Sequence, residues 1–87
     1  MEPSWQKLNT LLTEVSSVKE MTTILDFLLT AEEKVQIANR ISLTNMMIYS
    51  GKPQREIAKE LGVSISTVTR CSNALKTLPD TVKEKFK

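Results

Sequence analysis

Apolar residues recur along this chain at spacings of three and four, which predicts an all-α protein of six short helices. Trp5, Leu8, Leu11, Leu12 and Val15 form one stripe over about 4–17, and Met21, Ile24, Leu25 and Leu28 continue it over about 19–29. A third helix is announced by Thr30-Ala31-Glu32-Glu33, where the Thr30 hydroxyl can cap a free amide and Glu33 can reach back; it runs to about Ser50. On it Ala38, Ile41, Asn45 and Ile48 share a face, while Leu43, Met46 and Met47 widen the apolar arc beyond what one neighbour would cover. At 87 residues only one domain fits, and a lone domain of this size buries only about 60–65% of the surface its unfolded chain exposes. Three helices with such broad apolar faces exceed that capacity. Residues 1–50 are therefore read as the core helices of a homodimer, with Trp5 as a core or dimer anchor.

Gly51-Lys52-Pro53 breaks the third helix, because Gly tolerates a left-handed cap and Pro favours the first turn of a new helix. Residues 54–61 form that helix, which Gly62 ends, and Ser64 caps another over about 65–76. Pro79-Asp80 starts a last helix to Lys87, expected to be short and frayed because the chain stops there. The organisation expected is one domain over 1–87, with a helix-turn-helix at 53–76 and a short C-terminal helix at 79–87.

The helix-turn-helix assignment rests on QREIAKELGVSISTVTRCSN, residues 54–73. Ala58 stands where two helices cross closely, and Gly62 lies in the tight turn. Ile57, Leu61, Val63 and Val68 point inward and lock the pair. The second helix can then bring its N-terminal residues to base edges in a major groove. A plain helical hairpin is the simpler alternative, but it gives no reason to gather Ser64, Ser66, Thr67, Thr69 and Ser72 in one helix, where such residues are poor formers. A 3.6-residue period divides that helix into three faces. Val68 and Leu75 face the core. Ile65, Ser66, Thr69, Asn73 and Lys76 lie on a side that can meet DNA, with Ser64 at its start and Gln54 and Arg55 of the preceding helix within reach of phosphate or a base. Thr67, Arg70, Cys71 and Ala74 line a third face, open to a ligand.

Charge supports the division. The formal net charge of +2 is small, but residues 1–50 carry four basic and six acidic groups, whereas 51–87 carry eight basic and four acidic. Only the second part has the cation excess that displaces counterions from a nucleic-acid backbone. Composition removes other classes. With no His and one Cys, a Cys/His zinc site, a Ser-His-Asp triad and a Cys-His dyad all lack their parts, so neither an enzyme nor a metal protein is expected. One Cys forms no internal disulfide, and no apolar run approaches the roughly 20 residues that span a bilayer. MEPSWQKLNT lacks the basic-then-apolar order of a signal peptide, so a cytoplasmic protein without a membrane partner is expected.

TAEEKVQIANR at 30–40, the hairpin, and TRCSNALK at 69–76 together resemble the bacterial trp repressor family, over nearly the whole chain. The resemblance implies an intertwined all-helical homodimer in which L-tryptophan, as corepressor, sets the spacing of two reading heads on a palindromic double-stranded DNA operator. It also implies that Arg40 and Arg70 sandwich the indole, with Arg70 taking the carboxylate; a guanidinium can pair a carboxylate while stacking on a ring. Thr30, with carbonyls near Phe27 and Leu29, would receive the ammonium, and Thr67 would stand at the pocket and phosphate side. Two positions depart from the pattern: Cys71 stands where well-studied members carry Gly, and Ala74 where they carry Ser near the ligand amino group. The missing Ser hydroxyl is worth about 0.5–1.5 kcal/mol if that bond is made.

The function expected is a dimeric, sequence-specific DNA-binding repressor of tryptophan-related genes. One alternative is a regulator of the same fold that binds DNA without tryptophan or with a different ligand. A second is a helical protein-interaction module. Simpler roles for the site residues also stand: Arg40 pairing with Glu32, Glu33 or Asp26, Arg70 contacting a phosphate, and Cys71 packing into the hairpin core.

Overall fold

The computed structural model describes residues 3–87. Among them the chain is helical throughout: α1 (Pro3–Thr13), α2 (Val18–Leu28), α3 (Ala31–Tyr49), α4 (Gln54–Leu61), α5 (Ile65–Leu75) and α6 (Asp80–Lys83), followed by a 3-10 turn at Glu84–Phe86. The six expected helices are present, although α3, at 19 residues, is not short. Two compact units divide the chain, one ending at Lys34 and the other beginning at Val35.

In the N-terminal unit α1 stops at Thr13 rather than near residue 17. The cause is local. Ser17 turns extended and its hydroxyl accepts the Glu20 N–H at 3.1 Å, while the Glu20 carboxylate accepts the Ser16 N–H at 3.4 Å. A serine that caps one helix offers the backbone an alternative to prolonging the previous one. The box expected at α3 has formed: the Glu33 N–H donates to Thr30 Oγ1 at 3.1 Å and the Thr30 N–H to Glu33 Oε1 at 2.9 Å. Hydrogen bonding to the carboxylate from Thr30, its backbone N–H first and its side chain second, favours the ionised form and holds Glu33 below its ordinary pKa. Neither α1 nor α2 fully buries a residue, and Trp5 is 52% exposed, so it is not a core residue of this chain.

The core of the C-terminal unit consists of Leu43 on α3, Ile57 and Ala58 on α4, and Val68 on α5. Met46, Met47, Leu61, Val63 and Cys71 pack around it. The side of α3 that meets the hairpin is thus the Leu43–Met46–Met47 side, and Ala38 and Ile41 of the expected face are exposed. Periodicity shows that α3 has a broad apolar arc; which part of it α4 and α5 cover is a matter of tertiary packing. Gly62 ends α4 at φ 68°, where the Val63 N–H reaches back to the Ala58 carbonyl at 3.0 Å.

The final segment differs from the expected frayed helix to Lys87. One turn of α helix gives way to the 3-10 turn, and α3 holds both: Asn45 Nδ2 donates to the Phe86 carbonyl at 2.6 Å and the Tyr49 hydroxyl to the Lys83 carbonyl at 3.2 Å. Side chains of α3 thereby satisfy carbonyls that a helix end leaves free.

Candidate nucleic-acid interface and ligand cavity

The hairpin of α4 and α5 is fixed where its residues are smallest or best buried. Ala58 is 5% exposed, Ile57 1% and Val68 fully buried. With that face locked inward, Ile65, Ser66, Thr69, Asn73 and Lys76 of α5 are all exposed, as are Gln54 and Arg55 in the first turn of α4. Ser64 is the N-cap of α5. Its hydroxyl accepts the Thr67 N–H at 3.1 Å and lies 2.9 Å from Ser66 Oγ and 2.8 Å from Thr67 Oγ1. Lys52 in the α3–α4 corner pairs with Glu60 at the far end of α4, at 2.7 Å, which raises its pKa and engages its charge. Arg55, Lys59 and Lys76 are exposed and take no part in the ion pairs among the described residues.

Behind the exposed side of α5 lies a cavity of about 470 Å³, lined by Arg40, Leu43 and Thr44 of α3 and by Thr67, Arg70, Cys71 and Ala74 of α5. The four α5 residues are i, i+3, i+4 and i+7, one stripe of a helix, and the Arg40–Leu43–Thr44 triplet has the same spacing on α3. A second cavity of about 180 Å³, lined also by Gln36, Asn39 and Val63, shares Arg40, Leu43 and Thr67 with the first. The larger volume falls within the 300–1,000 Å³ or so of small-molecule sites. Its chemistry is two guanidiniums around apolar walls, with no carboxylate in the lining. Of the acids considered as partners for Arg40, Asp26 pairs with Lys34 at 2.9 Å and Glu33 is held in its own cap. The cavity therefore favours an anion that also carries an apolar body.

Cys71 takes both roles considered for it, packing against the core and lining the cavity. Its Sγ lies 4.0 Å from Thr44 Oγ1, whose own proton is donated to the Arg40 carbonyl at 2.7 Å, so the thiol is the donor in any bond between them. Five of the eight expected ligand residues come together here: Arg40, Thr67, Arg70, Cys71 and Ala74. The other three belong to the N-terminal unit. Phe27 is an 87% exposed residue of α2, Leu29 closes that helix with its N–H on the Leu25 carbonyl at 2.9 Å, and Thr30 is in the capping box. Sequence reasoning missed Leu43 and Thr44, although their offsets of three and four from Arg40 were the signal that places them beside it.

Among the described residues no group of His, Cys, Asp and Glu is arranged to hold a metal ion, and no helix is long and apolar enough to cross a membrane. Comparison with known proteins bears on the whole chain. A family model described as Trp repressor protein matches residues 3–87. A Trp operon repressor homolog of Vibrio campbellii is 34% identical over 83 residues, covering 95% of this chain and 83% of the relative. One of Chlamydia trachomatis is 35% identical over 83 residues, covering 95% and 88%, and one of Xylella fastidiosa is 35% identical over 69 residues, covering 79% and 75%. The exposed hairpin face, the arginine-lined cavity behind it and these matches agree: the chain belongs to the Trp repressor family, a regulatory, non-enzymatic family of DNA-binding proteins.

Proposed function

We propose that this chain acts as a homodimeric transcriptional repressor that binds a palindromic DNA operator in response to L-tryptophan. The observation that carries the reading is the cavity between α3 and α5, where Arg40 and Arg70 flank apolar walls on the reverse of the helix whose other side is exposed. An indole between the two guanidiniums, with its carboxylate on Arg70, would fix α5 against α3 and so set the attitude of the reading head. The Ser64, Ile65, Ser66, Thr69 and Asn73 side would then face base edges, and Gln54, Arg55 and Lys76 the phosphates or neighbouring bases.

The dimer is supported by what one chain leaves uncovered. Among the described residues only Leu43, Ile57, Ala58 and Val68 are buried hydrophobics, while Val18 is 84% exposed, Phe27 87%, Val35 59% and Ile41 50%. Apolar side chains this exposed on α2 and on α3 support association with a second copy.

Isothermal titration decides the ligand. L-tryptophan is expected to bind and to tighten operator binding, and Arg70→Ala to weaken ligand binding about ten- to 150-fold, the worth of a charged hydrogen bond. If L-tryptophan neither binds nor tightens operator binding, the corepressor claim is lost and the DNA claim stands. A second reading, a different ligand or none, is favoured by Cys71 and Ala74 in the lining. Under it, Cys71→Gly with Ala74→Ser leaves operator affinity in the presence of tryptophan unchanged; under the first it raises it.

A further inference from the structure

We propose that Thr67 is a positioning residue that transmits occupancy of the cavity to the start of α5 through the hydroxyl of Ser64. The proposal rests on the ligand and operator readings above and adds a route between them. Thr67 is the residue common to both ends of that route. Thr67 lines both cavities, and its Oγ1 lies 2.8 Å from Ser64 Oγ, the N-cap oxygen that also holds the Thr67 N–H at 3.1 Å. Ser64 Oγ is in turn 2.9 Å from the exposed Ser66 Oγ. Three hydroxyls thus form a chain from the cavity to the side of α5 that faces outward.

Each hydroxyl has one proton, each short contact needs one, and Ser64 Oγ, already accepting the Thr67 N–H, has one lone pair left, so only two arrangements satisfy the chain. Either Thr67 donates to Ser64 and Ser64 to Ser66, or Ser66 donates to Ser64 and Ser64 to Thr67. Without an acceptor in the cavity both are open. An anionic oxygen drawn in by Arg40 and Arg70 accepts a hydrogen bond from the Thr67 hydroxyl. Thr67 must then accept from Ser64, and Ser64 from Ser66, because otherwise two oxygens face each other at 2.8 Å with no proton between them. Occupancy consequently selects the arrangement in which Ser66 presents an outward acceptor, suited to the exocyclic amino groups of adenine or cytosine in a major groove. It also commits the cap hydroxyl to one geometry, which orders the first turn of the reading helix.

The test is the ratio of operator affinity at saturating L-tryptophan to that without it, for wild type, Ser64→Gly, Thr67→Val and the double variant, with Ser64→Thr and Thr67→Ser as conservative controls. Gly is tolerated at an N-cap and Val preserves the shape of Thr, and circular dichroism confirms that each variant is folded at the temperature used. Each single variant is expected to lower the ratio about two- to ten-fold, the worth of one hydrogen bond, and the double variant no further, because both break the same route. The controls, which keep a hydroxyl, should hold the ratio near wild type. Were Ser64 only a DNA contact and Thr67 only a ligand contact, saturating tryptophan would leave both ratios at the wild-type value. Unchanged ratios, or effects that multiply in the double variant, overturn the proposal. A wild-type ratio of one overturns the corepressor reading itself, and this route with it.

Discussion

Ile57→Ala tests whether one small cluster holds the α4–α5 hairpin in shape. Ile57 is 1% exposed and packs in a core with Leu43, Ala58 and Val68. The substitution deletes three carbons, which at about 0.8 kcal/mol per buried methylene is roughly 2.4 kcal/mol of lost burial. The space left behind adds to that, and measured truncations of this kind cost about 2–5 kcal/mol. A chain of 87 residues has a total stability of about 4–13 kcal/mol, so the loss is a large share of it. A fall in Tm of roughly 10–20 °C is expected. Thermal unfolding followed by far-ultraviolet circular dichroism measures it, at one protein concentration because any association stabilises by mass action. Ile65→Ala is the internal control: the same side chain, eight residues on and 48% exposed, should change stability by no more than about 0.5 kcal/mol while weakening operator binding. Ile57→Val should fall between, at about 0.5–1.5 kcal/mol. Equal losses for Ile57→Ala and Ile65→Ala would refute the assignment of an inward and an outward face to the hairpin.

Gly62→Ala should cost about 1–2 kcal/mol from backbone strain alone, since φ is +68° and nothing lies within 4 Å of an added Cβ; Gly62→Asn should cost less, as chemical denaturation can measure. Lys76→Ala should weaken operator binding alike across sequences and reduce the slope of log affinity against log salt by about 0.9, one phosphate contact; an unchanged slope places Lys76 off the DNA. Glu33, whose carboxyl is held below its ordinary value of 4.5, contributes stability that is present above that value and lost as the pH falls through the depressed one. The stability difference between wild type and Glu33→Gln should therefore shrink on acidification below about pH 4.5, and an acid titration in which it grows would contradict the cap.

The two α5 faces, the Thr30–Glu33 box, the Gly62 turn and the Ser64 cap were all legible in the sequence because each depends on residues at most four apart, where helix period and capping chemistry are decided. The early end of α1 was equally local: Ser17 and Glu20 carry the signal, but a stripe continuing to Val15 obscured it. The candidate cavity was half legible. Arg70, Cys71 and Ala74 announce one wall by their spacing, whereas the opposite wall depends on which side of α3 meets the hairpin.

What the sequence by itself determined is the helical period, the caps, the closely crossing hairpin and the concentration of cations after residue 50. Only the tertiary structure decided that Leu43, Met46 and Met47, rather than Ala38 and Ile41, meet that hairpin, that Thr44 lies beside Cys71 in the cavity lining, and that Asn45 and Tyr49 hold the final turn. The physical reason is the range of the interactions. Hydrogen bonds within a helical turn are written in adjacent residues, but apolar burial has no direction, and a helix with a broad apolar arc can present several sides until the packing of its neighbours selects one.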